Sequence, residues 1–238
     1  MIQGFTKATT KILSRLILSV AGQEKQGKSS LALSAPGPII YFNLDFGLEG
    51  VVHKHASTKA IYVKHYTIKR GDSQALYADA WTALKRDYYN ALKSTARTVV
   101  LDTSTEVWEL LRLARFGKLS QVMPHQYGPV NAEFVQMIRE AHGYDKNLIL
   151  LHKMKREYVN DHATGRYERA GYSGVGYLVQ ANVEVYRDGM DGGFFIRVMD
   201  CRQNAMIGGM ECPLPDEFNG FSMLAQWVFP DTSEGEWQ

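Results

Sequence analysis

The sequence has few cysteines and no long apolar run, and each absence excludes a class of protein. Only two cysteines, Cys201 and Cys212, occur among its 238 residues, and neither belongs to a Cys-x-x-Cys pair. This argues against a disulfide-rich secreted fold and against a structural zinc site. No apolar stretch approaches the roughly 18 to 20 residues that a membrane helix needs. The sequence therefore predicts reduced thiols, no membrane partner and a cytoplasmic location.

Basic residues are absent from the C-terminal segment. After Arg202 there is no Lys or Arg, whereas residues 1–202 contain 27 bases against 19 acids, and the formal net charge of the whole chain is only +2. A basic body with an acidic tail favours a polyanionic partner, although a tail that only improves solubility gives the same pattern. We expect one domain at 1–202 and an acidic C-terminal extension at 203–238.

A glycine-rich motif follows the first apolar run of the chain. Residues 16–21 are typical of a buried strand, and residues 29–35 are typical of a short helix. Between them, the order glycine, four residues, glycine, lysine and serine is that of a phosphate-binding P-loop. The residues expected to bind a nucleotide are Gly22, Gln23, Glu24, Lys25, Gln26, Gly27, Lys28, Ser29 and Ser30.

The residue types in this motif suit a polyphosphate. Glycines let the main chain curl so that several N–H groups face one anion, and the following helix directs its N-terminus toward the same place. The Lys28 ammonium would neutralise β- and γ-phosphate oxygens, and the Ser29 hydroxyl would bind the accompanying Mg²⁺. The motif thus predicts a site for a nucleoside triphosphate and Mg²⁺.

Two further predicted strands end in an aspartate. Residues 98–102 form an apolar, β-branched strand ending in Asp102, which we expect to hold Mg²⁺ opposite Ser29 from a strand adjacent to the P-loop strand. A second buried strand, residues 38–44, is followed by Asp45, and it too is expected beside the P-loop strand. Asp45 is a candidate to position the attacking water, with Glu49 as its substitute. A turn or helix-capping role for Asp45 is the alternative.

Local patterns predict several other elements. Thr103 and Glu106 have the spacing of a capping box. Apolar residues at helical or alternating spacing indicate the remaining helices and strands. The predicted elements are helices at 73–95 and 104–116, a helix opened by Pro129, a short buried helix at 171–180, and a β-hairpin with strands at 182–187 and 193–199.

A basic segment with interleaved tyrosines follows the predicted strand 147–151. This strand ends in His152, and the segment 153–169 comes directly after it. Lys and Arg can contact nucleic-acid phosphates while aromatic rings stack on bases. An exposed hairpin of mixed charge is the alternative. The residues expected to bind DNA are Lys153, Lys155, Arg156, Arg166 and Arg169.

The order of the P-loop, Asp102 and the strand ending in His152 resembles the RecA-like ATPase core, and in particular short phage-encoded AAA-type annealing or recombination proteins. The resemblance implies an α/β fold with a mostly parallel central sheet flanked by helices, followed here by a C-terminal β-hairpin and an acidic tail. It implies ATP and Mg²⁺ as cofactors and a cytoplasmic location, in a bacterial host if the chain is phage-encoded. It also implies homo-oligomeric rings or filaments that act on single-stranded DNA.

The resemblance also assigns roles to residues. His152 would be the sensor of the γ-phosphate, and the segments 153–170 and 115–128 would be DNA-binding loops. The expected catalytic residues are Lys28, Asp45 and His152, and Arg166 or Arg169 is expected to act as an arginine finger. The chain departs from the family in offering Asp45 where a glutamate is usual, which implies slow hydrolysis.

Two other functions fit the same sequence. A small-molecule or nucleotide kinase shares the P-loop, and the basic segment 153–169 is similar to the arginine-rich lid of such enzymes. A nucleotide-dependent assembly protein would bind ATP with little turnover, which the shorter acid at Asp45 favours.

Overall fold

The computed structural model describes residues 13–69, 71–118, 123–189, 192–214 and 219–237. Strands and helices are numbered in chain order. The strands are β1 Ile17–Ala21, β2 Ile39–Asn43, β3 Ile61–His65, β4 Thr98–Asp102, β5 Asn147–His152, β6 Met154–Val159, β7 His162–Arg169, β8 Ala181–Arg187, β9 Phe194–Cys201 and β10 Glu211–Pro213. The α-helices are α1 Lys28–Leu33, α2 Val52–Ala56, α3 Gln74–Lys93, α4 Ser104–Phe116, α5 Tyr127–Ala141 and α6 Gly220–Val228.

Eight strands form one sheet in the order β10-β9-β8-β1-β5-β4-β2-β3. The pairs from β8 to β3 are parallel, and β9 and β10 are added antiparallel at one edge. This confirms the mostly parallel α/β core and the C-terminal hairpin. The expectation that the Asp102 and Asp45 strands adjoin the P-loop strand is wrong, because β5 separates β1 from β4, and β2 lies beyond β4.

Side chains alternate between the two faces of the sheet and fill two apolar layers. In β1, Leu18 and Val20 pack toward α1 and α6, whereas Ile17 packs toward α3, α4 and α5. Such buried, largely apolar strands are typical of a parallel sheet covered by helices on both faces. The polar ends of the strands are therefore left as the place where a site can form.

Most of the helices predicted from local patterns are present. The helix predicted at 73–95 is α3, and the one at 104–116 is α4 with Thr103 as its N-cap, whose side chain accepts a hydrogen bond from the Glu106 N–H. The helix expected to open at Pro129 begins at Tyr127. Residues 171–180 do not form a buried helix, because they contain only a 3₁₀ turn in which Tyr177 is 84% exposed.

The C-terminal segment is part of the core rather than a separate tail. Phe221 and Leu224 of α6 are fully buried against α1, and Trp237 is also buried. The Phe221 N–H donates to Ser34 Oγ, directly after α1. The expected division between 1–202 and 203–238 overlooked this packing, because few of the apolar residues here lie in a long periodic pattern.

Strands β6 and β7 form a separate two-stranded hairpin, which is the alternative to a DNA-binding loop that the sequence left open. Its side chains are largely exposed along both strands. In the described part of the chain, no helix is long and apolar enough to cross a membrane.

Candidate nucleotide site

The carboxyl ends of four parallel strands bring the predicted site residues to one edge of the sheet. Ala21, at the end of β1, is paired with His152 at the end of β5, and the P-loop begins at the next residue, Gly22. Asp102 ends β4, and Asp45 lies two residues beyond the end of β2. Ligands of open parallel sheets bind at this edge.

The P-loop needs its two glycines for different reasons. Gly27 has φ of 91°, in the left-handed region that side chains disfavour. Gly22 lies so close to β8 that a Cβ atom there would come within 2.6 Å of the Val185 carbonyl oxygen. The main chain at the start of the loop is therefore in close contact with β8.

The Lys28 side chain turns back under the loop. Its Nζ donates to the carbonyl oxygens of Gly22, at 2.8 Å, and Gln23, at 2.7 Å. Burial lowers the Lys28 pKa, and the nearby carboxylates of Asp102 and Asp45 partly oppose this shift. The ammonium is therefore held against the main chain of the loop that the sequence predicts to bind phosphate.

Ser29 and Asp102 meet, as predicted, despite the intervening strand. The Ser29 hydroxyl lies 3.4 Å from Asp102 Oδ2, and Asp102 is only 3% exposed. Burial raises the Asp102 pKa, while hydrogen bonding to Tyr41 and the charge of Lys28 oppose the rise. One hydroxyl and one carboxylate oxygen are hard ligands that suit Mg²⁺, which usually keeps several waters and takes few protein ligands. The two residues therefore fit the metal expected with a nucleotide.

Tyr41 is a further residue of this site that the sequence did not reveal. Its hydroxyl donates to Asp102 Oδ2 at 2.5 Å, and its ring is fully buried in the core. Burial and the adjacent Asp102 charge raise the Tyr41 pKa, so the phenol stays protonated and donates. The contact depends on the register of β2 against β4, for which the sequence contains no local signal.

Asp45 is held by an ion pair. Lys153 Nζ lies 2.9 Å from Asp45 Oδ1 and 2.7 Å from Glu106 Oε1. Burial would lower the Lys153 pKa, but the hydrogen bonds to Glu106 and Asp45 outweigh it and raise the pKa. Lys153, expected to contact DNA, is thus directed toward the nucleotide site. Glu49, the predicted substitute for Asp45, lies in an exposed turn.

His152 has the predicted position at the end of β5, but its ring is buried. It is 1% exposed, and neither ring nitrogen makes a hydrogen bond of good geometry within the described residues. Burial, reinforced by the positive charge of Arg169 and weakly opposed by the Ala170 backbone, lowers the His152 pKa to about 3. The imidazole is therefore neutral near pH 7, and its sensor role stays a prediction.

Arg169 differs from the expectation of an exposed DNA contact or arginine finger. Its guanidinium donates to Ser19 Oγ, Asn182 Oδ1 and the Ser173 carbonyl. It thereby joins the end of β7 to two strands of the main sheet. The sequence could not reveal these contacts of Arg169, because they depend on how the hairpin packs against the main sheet.

Three of the predicted DNA contacts are exposed, namely Lys155, Arg156 and Arg166. Lys155 pairs with Glu168 across the hairpin, and Arg156 pairs with Tyr167. The register of the hairpin shifts between Arg156 and Tyr158, and Arg166 lies in the corresponding irregular stretch of β7. The second expected DNA-binding loop, 115–128, is shortened by α4 and α5, and residues 119–122 lie outside the described part.

Comparison with known proteins assigns the chain to a family. A family model described as an AAA domain matches residues 14–187. Among solved structures, a KaiC-like protein from the hyperthermophilic archaeon Pyrococcus horikoshii matches 83% of this chain and 84% of its own, with 11% sequence identity and a TM-score of 0.48. No curated protein is significantly similar to the chain.

Proposed function

Because the chain belongs to the AAA domain family, we propose that it binds ATP with Mg²⁺, hydrolyses it, and couples this reaction to single-stranded DNA in recombination or replication. The observation that carries the proposal is the convergence of the P-loop, Asp102 and Asp45 at one edge of the sheet. We further propose that the protein acts as a homo-oligomer.

Each residue of the edge has a distinct part in the proposed hydrolysis. The P-loop N–H groups and Lys28 bind the phosphates, and Ser29 and Asp102 hold Mg²⁺, which supplies charge neutralisation. Asp45 orients a water whose oxygen attacks the γ-phosphorus as the bond to the ADP oxygen breaks, and it accepts the proton released. Tyr41 fixes the Asp102 carboxylate by donating to Oδ2.

A short chain of contacts supports coupling between this edge and the β6–β7 hairpin. Lys153, which bonds Asp45 and Glu106, immediately precedes β6. Thr105 of α4 joins both ends of the hairpin, since its Oγ1 accepts from the Lys153 N–H and donates to the Ala170 carbonyl. A ligand that displaces the hairpin would therefore also displace the partner of Asp45.

The test is phosphate release from ATP with and without single-stranded DNA, for the wild type and Lys28→Ala. We expect stimulation by DNA, and about 100-fold slower release in Lys28→Ala because the cation that neutralises the phosphates is lost. Lys93→Ala, which removes an exposed lysine at the end of α3, is the matched control and should hydrolyse like the wild type. Phosphate release by Lys28→Ala at the wild-type rate would contradict the proposal.

A nucleotide-dependent assembly protein is the second candidate. The ion pair between Lys153 and Asp45 favours it, because the lysine occupies a carboxylate oxygen that would otherwise hold the attacking water. Tight ATP binding without phosphate release, with or without DNA, would support this function. Transfer of phosphate to an added acceptor instead of water would support a kinase.

A further inference from the structure

Phe194, the first residue of β9, lies against the P-loop. A Cβ atom placed on Gly27 would come within 3.2 Å of the Phe194 ring. Phe194 is 39% exposed, whereas Ile196 and Val198, whose side chains lie on the same side of β9, are fully buried. The Arg187 guanidinium lies 5.7 Å from the centroid of the ring. An exposed aromatic ring thus adjoins the phosphate-binding loop.

The residues expected to hold Mg²⁺ and to position the attacking water determine the direction in which a bound nucleotide lies. Asp102 ends β4 and Asp45 follows β2, on one side of the P-loop strand, and they require the terminal phosphate on that side. The nucleoside end of the same molecule then extends toward the opposite side. There the sheet continues as β8 and β9, which end and begin at Arg187 and Phe194.

We propose that Phe194, with Arg187 beside it, is the platform on which the nucleobase of the bound nucleotide stacks. The inference rests on the proposed function and adds to it the contact that distinguishes a nucleotide from a bare polyphosphate. Aromatic rings stack on any base because every base has a π-face, and an arginine next to such a ring adds a cation–π contact.

The neighbouring Phe195 provides a matched comparison within the same strand. It lies on the opposite face of the sheet, where its ring stacks on Tyr186 at a centroid distance of 5.5 Å. Both residues are phenylalanines near the same end of β9, and Phe194 is the one whose ring lies beside Gly27. Truncation of Phe195 therefore controls for general damage to this end of the sheet.

The experiment is calorimetric titration of the full-length protein with ATP and, separately, with inorganic tripolyphosphate, both with Mg²⁺. Phe194→Ala should bind ATP about 5- to 150-fold more weakly, the range expected for one lost base-stacking contact. Tripolyphosphate has no base, so its affinity should change less than about 2-fold. Phe194→Leu retains apolar bulk without the ring and should behave like Phe194→Ala, whereas Phe195→Ala should match the wild type.

The outcomes separate this inference from the function on which it rests. Equal loss of ATP and tripolyphosphate affinity in Phe194→Leu would mean that the ring only supports the P-loop, and it would overturn the platform. Unchanged ATP affinity in both Phe194 variants would overturn it too. If the wild type binds neither ATP nor tripolyphosphate, the proposed nucleotide site is refuted, and the proposed stacking role of Phe194 is refuted as well.

Discussion

Tyr41 is the side chain on which the position of the Asp102 carboxylate most directly depends. Asp102 is buried, and a carboxylate in such surroundings needs hydrogen-bond donors to keep its charge and its orientation. Tyr41 supplies one from the neighbouring strand. Its role is positioning, because it acts through Asp102.

Tyr41→Phe should weaken the response to Mg²⁺ while leaving the fold intact. Loss of a hydrogen bond to a metal-binding residue typically costs about 10-fold or more in metal affinity, so half-maximal ATP binding should need about 10-fold more Mg²⁺. Fluorescence titration of an ATP analogue at varied Mg²⁺ measures this. Tyr88→Phe, which removes another buried hydroxyl that donates to the Met137 carbonyl, is the control. The same Mg²⁺ dependence in both variants would show that Tyr41 does not orient Asp102.

The β6–β7 hairpin is the element on which the proposed DNA interaction depends. A two-stranded hairpin alone is marginally stable in water, and this one is joined to the main sheet at its base by Arg169 and to α4 by Thr105. Beyond this base it exposes Tyr158, which is 60% accessible, and Tyr167, which is 43% accessible. A surface of exposed rings and cations is suited to single-stranded nucleic acid.

Replacing Lys155, Arg156 and Arg166 together by alanine should weaken binding to single-stranded DNA. Each lost phosphate contact reduces the slope of log affinity against log salt by about 0.7 for single strands, so the slope should fall by about 2. Fluorescence anisotropy at several salt concentrations measures it. ATP affinity without DNA should not change, since these side chains lie outside the nucleotide edge.

The control for this prediction is a triple variant of Lys69, Lys93 and Arg139, which are exposed residues away from the hairpin. It makes the same change in net charge. If the two triple variants weakened DNA binding equally, the interaction would depend only on long-range attraction by the net charge. The hairpin would then not be part of the DNA-binding surface.

The whole molecule is stabilised by its C-terminal segment, since α6 covers α1 directly behind the P-loop. Phe221→Ala should destabilise the protein by about 3 to 5 kcal/mol, the usual cost of removing a fully buried phenylalanine side chain. Chemical denaturation measures this. Met206→Ala, in the same segment but 87% exposed, should change stability by less than about 0.5 kcal/mol. A Phe221 variant as stable as the Met206 variant would mean that the segment is dispensable for folding.

The same segment shows how far the sequence could predict the whole molecule. Its six acidic residues suggested a detached tail. Yet α6 has its buried face against α1, and Arg97 donates to the Glu236 carbonyl near the other end of the segment. The net charge of a segment does not indicate whether the segment also has a buried apolar face. One short helix with such a face is enough to pack the segment against the core.

The sequence by itself determined the features that depend on residues close together along the chain. These are the P-loop, the strand ending in Asp102, the long helix α3 and the N-cap at Thr103, because spacing and local propensity specify them. Only the tertiary structure decided the strand order and the contacts across it: Tyr41 on Asp102, Lys153 on Asp45, and Phe194 on Gly27. Each joins residues that are far apart in sequence, and the energy of such contacts comes from packing and register that no local pattern encodes.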